Sequence, residues 1–218
     1  MKSTIVSVIL AGALLAVAPQ PASAQQGTTA ASPADAAASR TVMDSSTRII
    51  NTLQQRRAEF RANRPALQQF IEAELARGFD REYAARLVLG VHARTASPEQ
   101  VKLFADAMAD NLMARYGDTL LQIEGSPRFR LKGQAPLPGN RGVKVSTELL
   151  RNGAEPTPVE YLMRQVDGQW KIFDVMIEGI SYVQTFKTQF DSPLRQKSIE
   201  QVARELRGGT LQAGGNGR

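Results

Sequence analysis

The chain has no cysteine and a single histidine, His92, among its 218 residues. Without cysteine there are no disulfide bonds, thiolate metal sites, cysteine nucleophiles or acylated lipoprotein anchors. One histidine excludes metal sites that need two, such as the HExxH zinc motif. The sequence also contains no glycine-rich phosphate loop and no GxSxG nucleophile motif. These absences remove much ordinary enzyme chemistry.

The sequence does contain enough apolar material for a folded domain. Apolar residues make up 42% and charged residues 22% of the chain, which excludes general disorder and indicates one domain or two small ones. The formal charge is +6. A positive cluster of Arg56, Arg57, Arg61 and Arg64 lacks the interleaved aromatic side chains of a stacking platform, so no nucleic acid is expected as a partner. We interpret this cluster first as a solvated surface, and second as an attraction for anionic headgroups or an acidic partner.

The N-terminus has the pattern of a secretory signal peptide. Lys2 precedes an apolar run over residues 5–17, and Ala22-Ser23-Ala24 matches the small-residue cleavage motif. We therefore expect residues 1–24 to be removed before Gln25 and the mature protein to be exported to a bacterial periplasm. The alternative is an uncleaved N-terminal anchor, although the apolar run is short for a membrane span.

Three segments are expected after the signal peptide. Residues 25–38 are rich in Ala, Thr, Ser and Gln and are predicted to be a flexible linker that becomes helical towards its end. Residues 39–207 are predicted to form the folded domain. Residues 208–218 contain two Gly-Gly pairs and are predicted to be a flexible tail.

Apolar periodicity predicts four helices in the first half of the domain. The first helical face contains Val42, Ile49, Ile50, Leu53 and Phe60. Pro65 suits the first turn of a second helix, Gly78 suits its end, and Asp80 is a candidate N-cap for the third.

The fourth helix carries the clearest local signal in the sequence. Ser97 and Gln100 have the spacing of a capping box, and Pro98 suits the first helical position. Apolar residues then recur at steps of three and four, and Gly117 is predicted to end the helix.

The period changes to two in the second half of the domain, which predicts about four antiparallel strands. Turn residues separate these strands, including Asn152-Gly153 and Asp167-Gly168. Helical spacing returns after Gly179 and predicts two more helices. Helices segregated from an antiparallel sheet indicate an α+β fold.

Two ionisable residues are candidates for catalysis. His92 stands near the end of an apolar helix without an identifiable partner, so a packed or exposed helix-end residue is the favoured interpretation. Asp174 shares a strand face with Trp170 and Ile172 if that strand is regular. A buried, hydrogen-bonded structural acid is favoured for Asp174 over a catalytic one. Trp170 is expected to pack structurally.

A series of short motifs resembles the MlaC-type periplasmic phospholipid-binding proteins, also called toluene-tolerance auxiliary proteins. The resemblance extends in order from Thr41 to Arg207. The segments that carry it are Phe60-Arg61-Ala62-Asn63, Tyr83-Ala84-Ala85-Arg86-Leu87-Val88-Leu89-Gly90, Thr95-Ala96-Ser97-Pro98-Glu99-Gln100, Tyr116-Gly117, Gly168-Gln169-Trp170-Lys171-Ile172-Phe173-Asp174-Val175 and Glu178-Gly179-Ile180-Ser181.

The resemblance implies a fold and a function. It implies helices packed on a curved, mainly antiparallel sheet, which together enclose an apolar cavity for a phospholipid. It implies a monomeric periplasmic carrier, not an enzyme, that needs no cofactor and holds phospholipid as cargo. It also implies two partners, an outer-membrane lipoprotein–porin complex and an inner-membrane ABC transporter with an MCE-domain subunit. The expected role is maintenance of outer-membrane lipid asymmetry.

The candidate lipid-contact residues are apolar side chains on the predicted faces, where a dry core and a lipid pocket have the same composition. From the sheet they are Val143, Val145, Leu149, Tyr161, Met163, Val175 and Ile177. From the helices they are Leu87, Val88, Phe104, Met108, Val183 and Phe186. Two alternatives remain open: a small periplasmic enzyme that uses Asp174 or His92 as a base, and a lipid-free interaction scaffold. Arg56, Arg57 and Arg61 are further candidates for favouring anionic headgroups at the cavity mouth.

Overall fold

The computed structural model describes residues 33–122, 125 and 127–213. The predicted signal peptide and most of the predicted linker lie outside these residues. Within them the chain forms helices first, then strands, then helices, so the predicted α+β class is confirmed. None of the described helices is both long and apolar enough to cross a membrane.

Seven α-helices are present among the described residues. Five precede the sheet: α1 (Pro33–Gln55), α2 (Arg57–Ala62), α3 (Arg64–Gly78), α4 (Arg81–Leu89) and α5 (Pro98–Leu120). A 3₁₀ helix, Gly90–Arg94, follows α4. Two follow the sheet: α6 (Tyr182–Gln196) and α7 (Ile199–Arg207).

Among the residues that the structure describes, five strands form one antiparallel sheet in which each strand pairs with its neighbour in the sequence. The strands are β1 (Arg128–Pro136), β2 (Val143–Leu150), β3 (Thr157–Val166), β4 (Gln169–Ile177) and the two-residue β5 (Ile180–Ser181). The prediction of about four strands missed β5, which is too short to show a period. The Asp167-Gly168 turn joins β3 to β4, and both residues have positive φ (50° and 76°), as a two-residue hairpin requires.

A β-bulge in β4 changes the expected position of Asp174. Leu162 pairs with Asp174 but Met163 pairs with Ile172, so Phe173 is an extra residue in β4. One extra residue reverses the alternation of side chains beyond it. Asp174 therefore does not share a face with Ile172 and Trp170, and the expectation based on a regular strand is wrong. Trp170 packs against the hydrophobic residues between the sheet and α1, as predicted.

In the described part of the chain, buried apolar side chains form three clusters. The helical cluster joins α4, α5, α6 and α7 and includes Phe104 and Phe190. The sheet cluster joins α1 to the sheet through residues such as Val42 and Val145. The lateral cluster joins α1, α2, α3 and the end of α5, and its buried members are Leu53, Phe60, Leu67 and Leu121.

Most predicted helix ends match the structure. Ser97 and Gln100 form the predicted capping box, and the Asp80 carboxylate accepts a hydrogen bond from the Tyr83 N–H. Gly117 was wrongly predicted to end α5, which continues to Leu120. This glycine is buried, and a Cβ placed there would lie 2.6 Å from Met113 Cε, so close packing explains a glycine at this position.

Two other boundaries differ from the sequence predictions. Phe60 was placed on the first helix but belongs to α2, because α1 ends at Gln55. Helix α1 begins at Pro33, before the predicted start of the domain at residue 39. Ala38, the last residue of the predicted linker, is fully buried in the sheet cluster.

The first residues after α7 pack against the domain. Asn111 on α5 is buried, donates to the carbonyls of Leu206 (2.6 Å) and Leu211 (3.0 Å), and accepts from the N–H of Ala213 (2.8 Å). Gln189 on α6 donates to the carbonyl of Gln212. Part of the segment predicted to be a flexible tail is therefore held by hydrogen bonds to Asn111 and Gln189. Residues 214–218 lie outside the described residues.

A buried carboxylate joins α1 to α3. The Glu74 side chain is 7% exposed and accepts hydrogen bonds from Arg48 Nε (3.0 Å) and Arg48 Nη2 (2.8 Å), and one from Arg77 Nη1 (2.8 Å). The hydrogen bonds from Arg48 hold the pKa of Glu74 below its ordinary value. A carboxylate with a lowered folded-state pKa stabilises the fold above its unfolded pKa, and this stabilisation is lost as the pH falls through the folded pKa.

We expect Glu74→Gln to lower the free energy of unfolding at pH 7 by about 2 kcal/mol, because it removes a charge that several donors surround. The difference between the variant and the wild type should narrow as the pH falls below roughly 4. Urea unfolding of both proteins from pH 7 to pH 3 measures this difference in the free energy of unfolding. Glu72→Gln on the same helix is the matched control, since Glu72 is exposed and pairs only with Gln68 among the described residues. An equal effect of the two substitutions would contradict the prediction.

Candidate functional site

A cavity of about 820 Å³ lies where the three hydrophobic clusters approach one another. From the helical cluster its wall takes Val88, Met108 and Phe186. From the sheet cluster it takes Val175 and Ile177. From the lateral cluster it takes Ile71, Met113 and Leu120. The cavity therefore occupies the place where a single continuous core would otherwise form.

Small side chains in the wall leave this space open. Ala84 and Ala85 on α4 and Ala105, Ala109 and Gly117 on α5 all line the cavity. Ala105 and Ala109 are one helical turn apart, so they form a shallow strip on the same face of α5. Because these side chains are small, they do not reach into the cavity, and the space that larger side chains would fill stays open.

The cavity opens to solvent between α3 and α5. Gln68 and Glu72 on α3 and Tyr116 on α5 line the cavity and are exposed. Tyr182, at the start of α6, is also a lining residue and is 40% exposed. The walls are therefore mainly apolar and the rim carries polar and aromatic side chains, an arrangement suited to an amphiphilic ligand.

Two ion pairs join α5 to the α3–α4 side of this opening. Arg64 at the start of α3 pairs with Asp118 at 2.6 Å. Arg81 at the start of α4 pairs with Asp106 at 3.7 Å, and Asp106 also pairs with Lys102 at 2.6 Å. Of these residues, Arg81 and Asp106 line the cavity, whereas Arg64 and Asp118 do not.

Asp174 lines the cavity but its carboxylate is held by the backbone and side chain of the next element. It is 4% exposed, accepts from Ser181 Oγ at 2.5 Å and accepts from the Val183 N–H at 3.0 Å. Ser181 in turn caps α6 by accepting from the Gln184 N–H. These bonds fix the start of α6 against β4, in agreement with the structural role favoured from the sequence.

The other catalytic candidate lies outside the cavity wall. His92 is in the 3₁₀ helix Gly90–Arg94, and its Nε2 atom is buried with no hydrogen-bond partner among the described residues. The described part of the chain contains no group of three or more side chains suited to holding a metal ion. Among the described residues, His92 and Asp174 therefore form no hydrogen-bonded pair of the kind a catalytic base needs.

Six of the thirteen predicted contact residues line the cavity. They are Val88, Met108, Val175, Ile177, Val183 and Phe186. They come from α4, α5, β4 and α6, so the structure brings together residues that are far apart in the sequence.

The other seven lie elsewhere in the structure. Val143, Val145, Leu149, Tyr161 and Met163 belong to the sheet cluster, where α1 covers the face that they share. Burial raises the pKa of the Tyr161 hydroxyl, which bonds with Ser46 of α1 and with Thr147. Phe104 is fully buried in the helical cluster, and Leu87 is half-buried. The sequence did not show that α1 would cover this face.

The structure adds cavity residues that the sequence prediction missed. Ile71 and Leu75 on α3 fit the apolar periodicity of the predicted second helix, and that signal was present in the sequence. The alanines of α4 and α5 gave no such signal, because alanine is common in any helix.

The predicted basic mouth is not formed by Arg56, Arg57 and Arg61, because none of the three lines the cavity. Arg56 forms an ion pair with Glu59 at 2.6 Å, and its guanidinium lies 4.5 Å from the centre of the Phe60 ring. The cationic residues of the wall are Arg81 and Arg207.

Comparisons with known proteins match a family model, a characterised relative and a solved structure. The family model for the MlaC protein matches residues 43–208. The toluene tolerance protein ttg2D of Pseudomonas putida is 22% identical over 156 residues, which cover 71% of this chain and 72% of that protein. The structure of a phospholipid-binding protein from Ralstonia solanacearum, in complex with a phospholipid, superposes with a TM-score of 0.70. That match has 20% identity and covers 79% of this chain and 97% of the other.

Proposed function

Because the chain belongs to the MlaC protein family, we propose that it is a periplasmic phospholipid carrier. In this proposal the acyl chains occupy the 820 Å³ cavity and the headgroup lies at the opening beside α3. The lining residues described above replace the broader set predicted from the sequence. The apolar cavity with a polar rim is the observation that carries the proposal.

The physical requirement for such a carrier is apolar burial. Two acyl chains hold roughly 30 methylene groups, and their exposure to water costs more than ~20 kcal/mol at ~0.8 kcal/mol per group. A cavity that buries the chains nearly as well as a bilayer allows exchange at a small net free-energy change. The phospholipid bound to the Ralstonia protein, which shares this fold, supports the same use of the cavity.

We propose that this protein exchanges lipid with two membrane systems, an outer-membrane lipoprotein–porin complex and an inner-membrane ABC transporter with an MCE-domain subunit. The predicted signal peptide supports export to the space between them. This exchange would maintain lipid asymmetry in the outer membrane. It involves no bond making or breaking, so it needs neither a catalytic residue nor a cofactor.

The test is direct measurement of cargo and transfer. The protein should be expressed with its N-terminus intact and its exported form purified from the periplasm. Solvent extraction and mass spectrometry should then yield close to one phospholipid per protein. The purified protein should also move labelled phospholipid from donor vesicles to acceptor vesicles. Bound lipid without transfer would indicate a scaffold that merely holds lipid. Absence of both would overturn the proposal and leave the enzyme and lipid-free scaffold alternatives.

A further inference from the structure

A second cavity of about 640 Å³ adjoins the first beside the opening. Gln68, Asp110, Met113, Gly117 and Arg207 line both cavities, so the two share a wall. The first cavity is mainly apolar. The second lies between the beginning of α3, the second half of α5 and the end of α7, and charged side chains form much of its lining.

Two ion pairs form the charged lining of the second cavity. Arg64 Nη2 lies 2.6 Å from Asp118 Oδ1, and Arg207 Nε lies 3.1 Å from Asp110 Oδ2. The four side chains are between 41% and 68% exposed, so a ligand that enters from solvent can reach them. Two guanidinium groups and two carboxylates give this lining a formal charge of zero.

We propose that the second cavity is the headgroup site of the carrier and that it favours zwitterionic amine headgroups, such as phosphoethanolamine, over anionic ones. This inference rests on the proposed function. A lipid whose acyl chains fill the first cavity reaches the second past Met113 and Gly117. Its phosphate would lie beside the guanidinium groups of Arg64 and Arg207, and its amine beside Asp110 and Asp118.

The preference follows from the balance of charges. Each guanidinium already has a carboxylate partner, so a headgroup with only negative charge meets repulsion from Asp110 and Asp118 that offsets its attraction to the arginines. A headgroup with both charges can form a favourable contact with each member of a pair. Glu72 reinforces this difference, because it lines the first cavity and forms no ion pair among the described residues. The groups are exposed, so we expect a moderate preference that weakens as salt is added.

The test uses full-length protein incubated with vesicles that contain equal amounts of phosphatidylethanolamine and phosphatidylglycerol. Mass spectrometry of the protein-bound lipid gives the ratio of the two. The wild type should be enriched in phosphatidylethanolamine at low salt. Asp110→Asn and Asp118→Asn each leave a guanidinium without its carboxylate partner and should shift the ratio towards phosphatidylglycerol by about two- to fivefold. The shift should shrink in 0.5 M salt.

Asp191→Asn is the matched control. Asp191 on α6 is also an exposed carboxylate paired with an arginine, Arg195, at 2.9 Å, but it lines neither cavity. This substitution changes the net charge equally and should leave the ratio unchanged. An unaltered ratio in both cavity variants, with lipid still bound, would overturn the headgroup site and leave the carrier intact. An equal shift in the control would also overturn it, while wild-type protein without lipid would overturn the carrier function itself.

Discussion

Ala109→Trp should remove most of the bound phospholipid while the protein stays folded. Ala109 lies in the strip of small residues on α5 that lines the large cavity. An indole at this position occupies space that we assign to about four methylene groups of an acyl chain. At ~0.8 kcal/mol per methylene group, the loss is about 3 kcal/mol, or roughly a hundredfold in affinity. Phospholipid per mole of purified protein and the rate of transfer between vesicles measure the effect.

The matched control is Ala73→Trp on α3. Ala73 is also on a helix that borders the cavity, but it is exposed and does not line it. This variant should carry as much lipid as the wild type. Ala105→Phe, one turn before Ala109, should act in the same direction as Ala109→Trp. Full lipid content in both cavity variants, with the circular dichroism spectrum unchanged, would contradict the assignment of this cavity to the acyl chains.

Phe104→Ala should have the opposite result, with a large loss of stability and little change in lipid content per folded molecule. Phe104 is fully buried in the helical cluster, where its ring meets the Phe190 ring edge-on at 5.7 Å between centres. Removal of a buried phenylalanine side chain leaves a void that the surrounding helices cannot fill. We expect a loss of about 4 kcal/mol in the free energy of unfolding. The midpoint of thermal unfolding should fall by roughly 10 °C.

Urea unfolding and lipid extraction on the same sample measure both quantities for Phe104→Ala. Phe104→Leu is the conservative control, and it should lose less stability because it leaves a smaller void. If Phe104→Ala reduced bound lipid tenfold at unchanged stability, Phe104 would belong to the cavity wall, as the sequence prediction placed it. The two opposite results, for Ala109 and Phe104, separate cavity lining from core.

Local signals in the sequence predicted the elements of this fold well. The capping box at Ser97 and Gln100, the Asp80 cap and the Asp167-Gly168 turn depend on residues within a few positions of one another. Such interactions need few contacts from elsewhere in the chain, so local sequence predicts them well. The end of α5 was predicted wrongly at Gly117, because a buried contact with the Met113 side chain, and not a left-handed backbone, explains this glycine.

The sequence predicted only part of the candidate site. Two comparisons, of Met108 with Phe104 and of Val145 with Val175, show why. Met108 and Phe104 lie one turn apart on α5 and have equivalent positions in the apolar pattern. Met108 lines the cavity while Phe104 is buried beside Phe190. Val145 and Val175 are both apolar residues of predicted strands, yet α1 packs with Val145 in the sheet cluster and Val175 borders the cavity. Periodicity identifies a buried face but not what lies opposite it.

The sequence by itself determined the α+β order of elements, most of the helix caps and turns, and the absence of cysteine and paired-histidine chemistry. These properties depend on composition and on neighbours along the chain. The tertiary structure decided that α1 covers the sheet, that a bulge turns Asp174 away from Trp170, and that three clusters leave a cavity between them. A cavity is a property of the distance between packed elements, and that distance depends on small side chains such as Ala105 and Ala109, which have no distinctive pattern in the sequence.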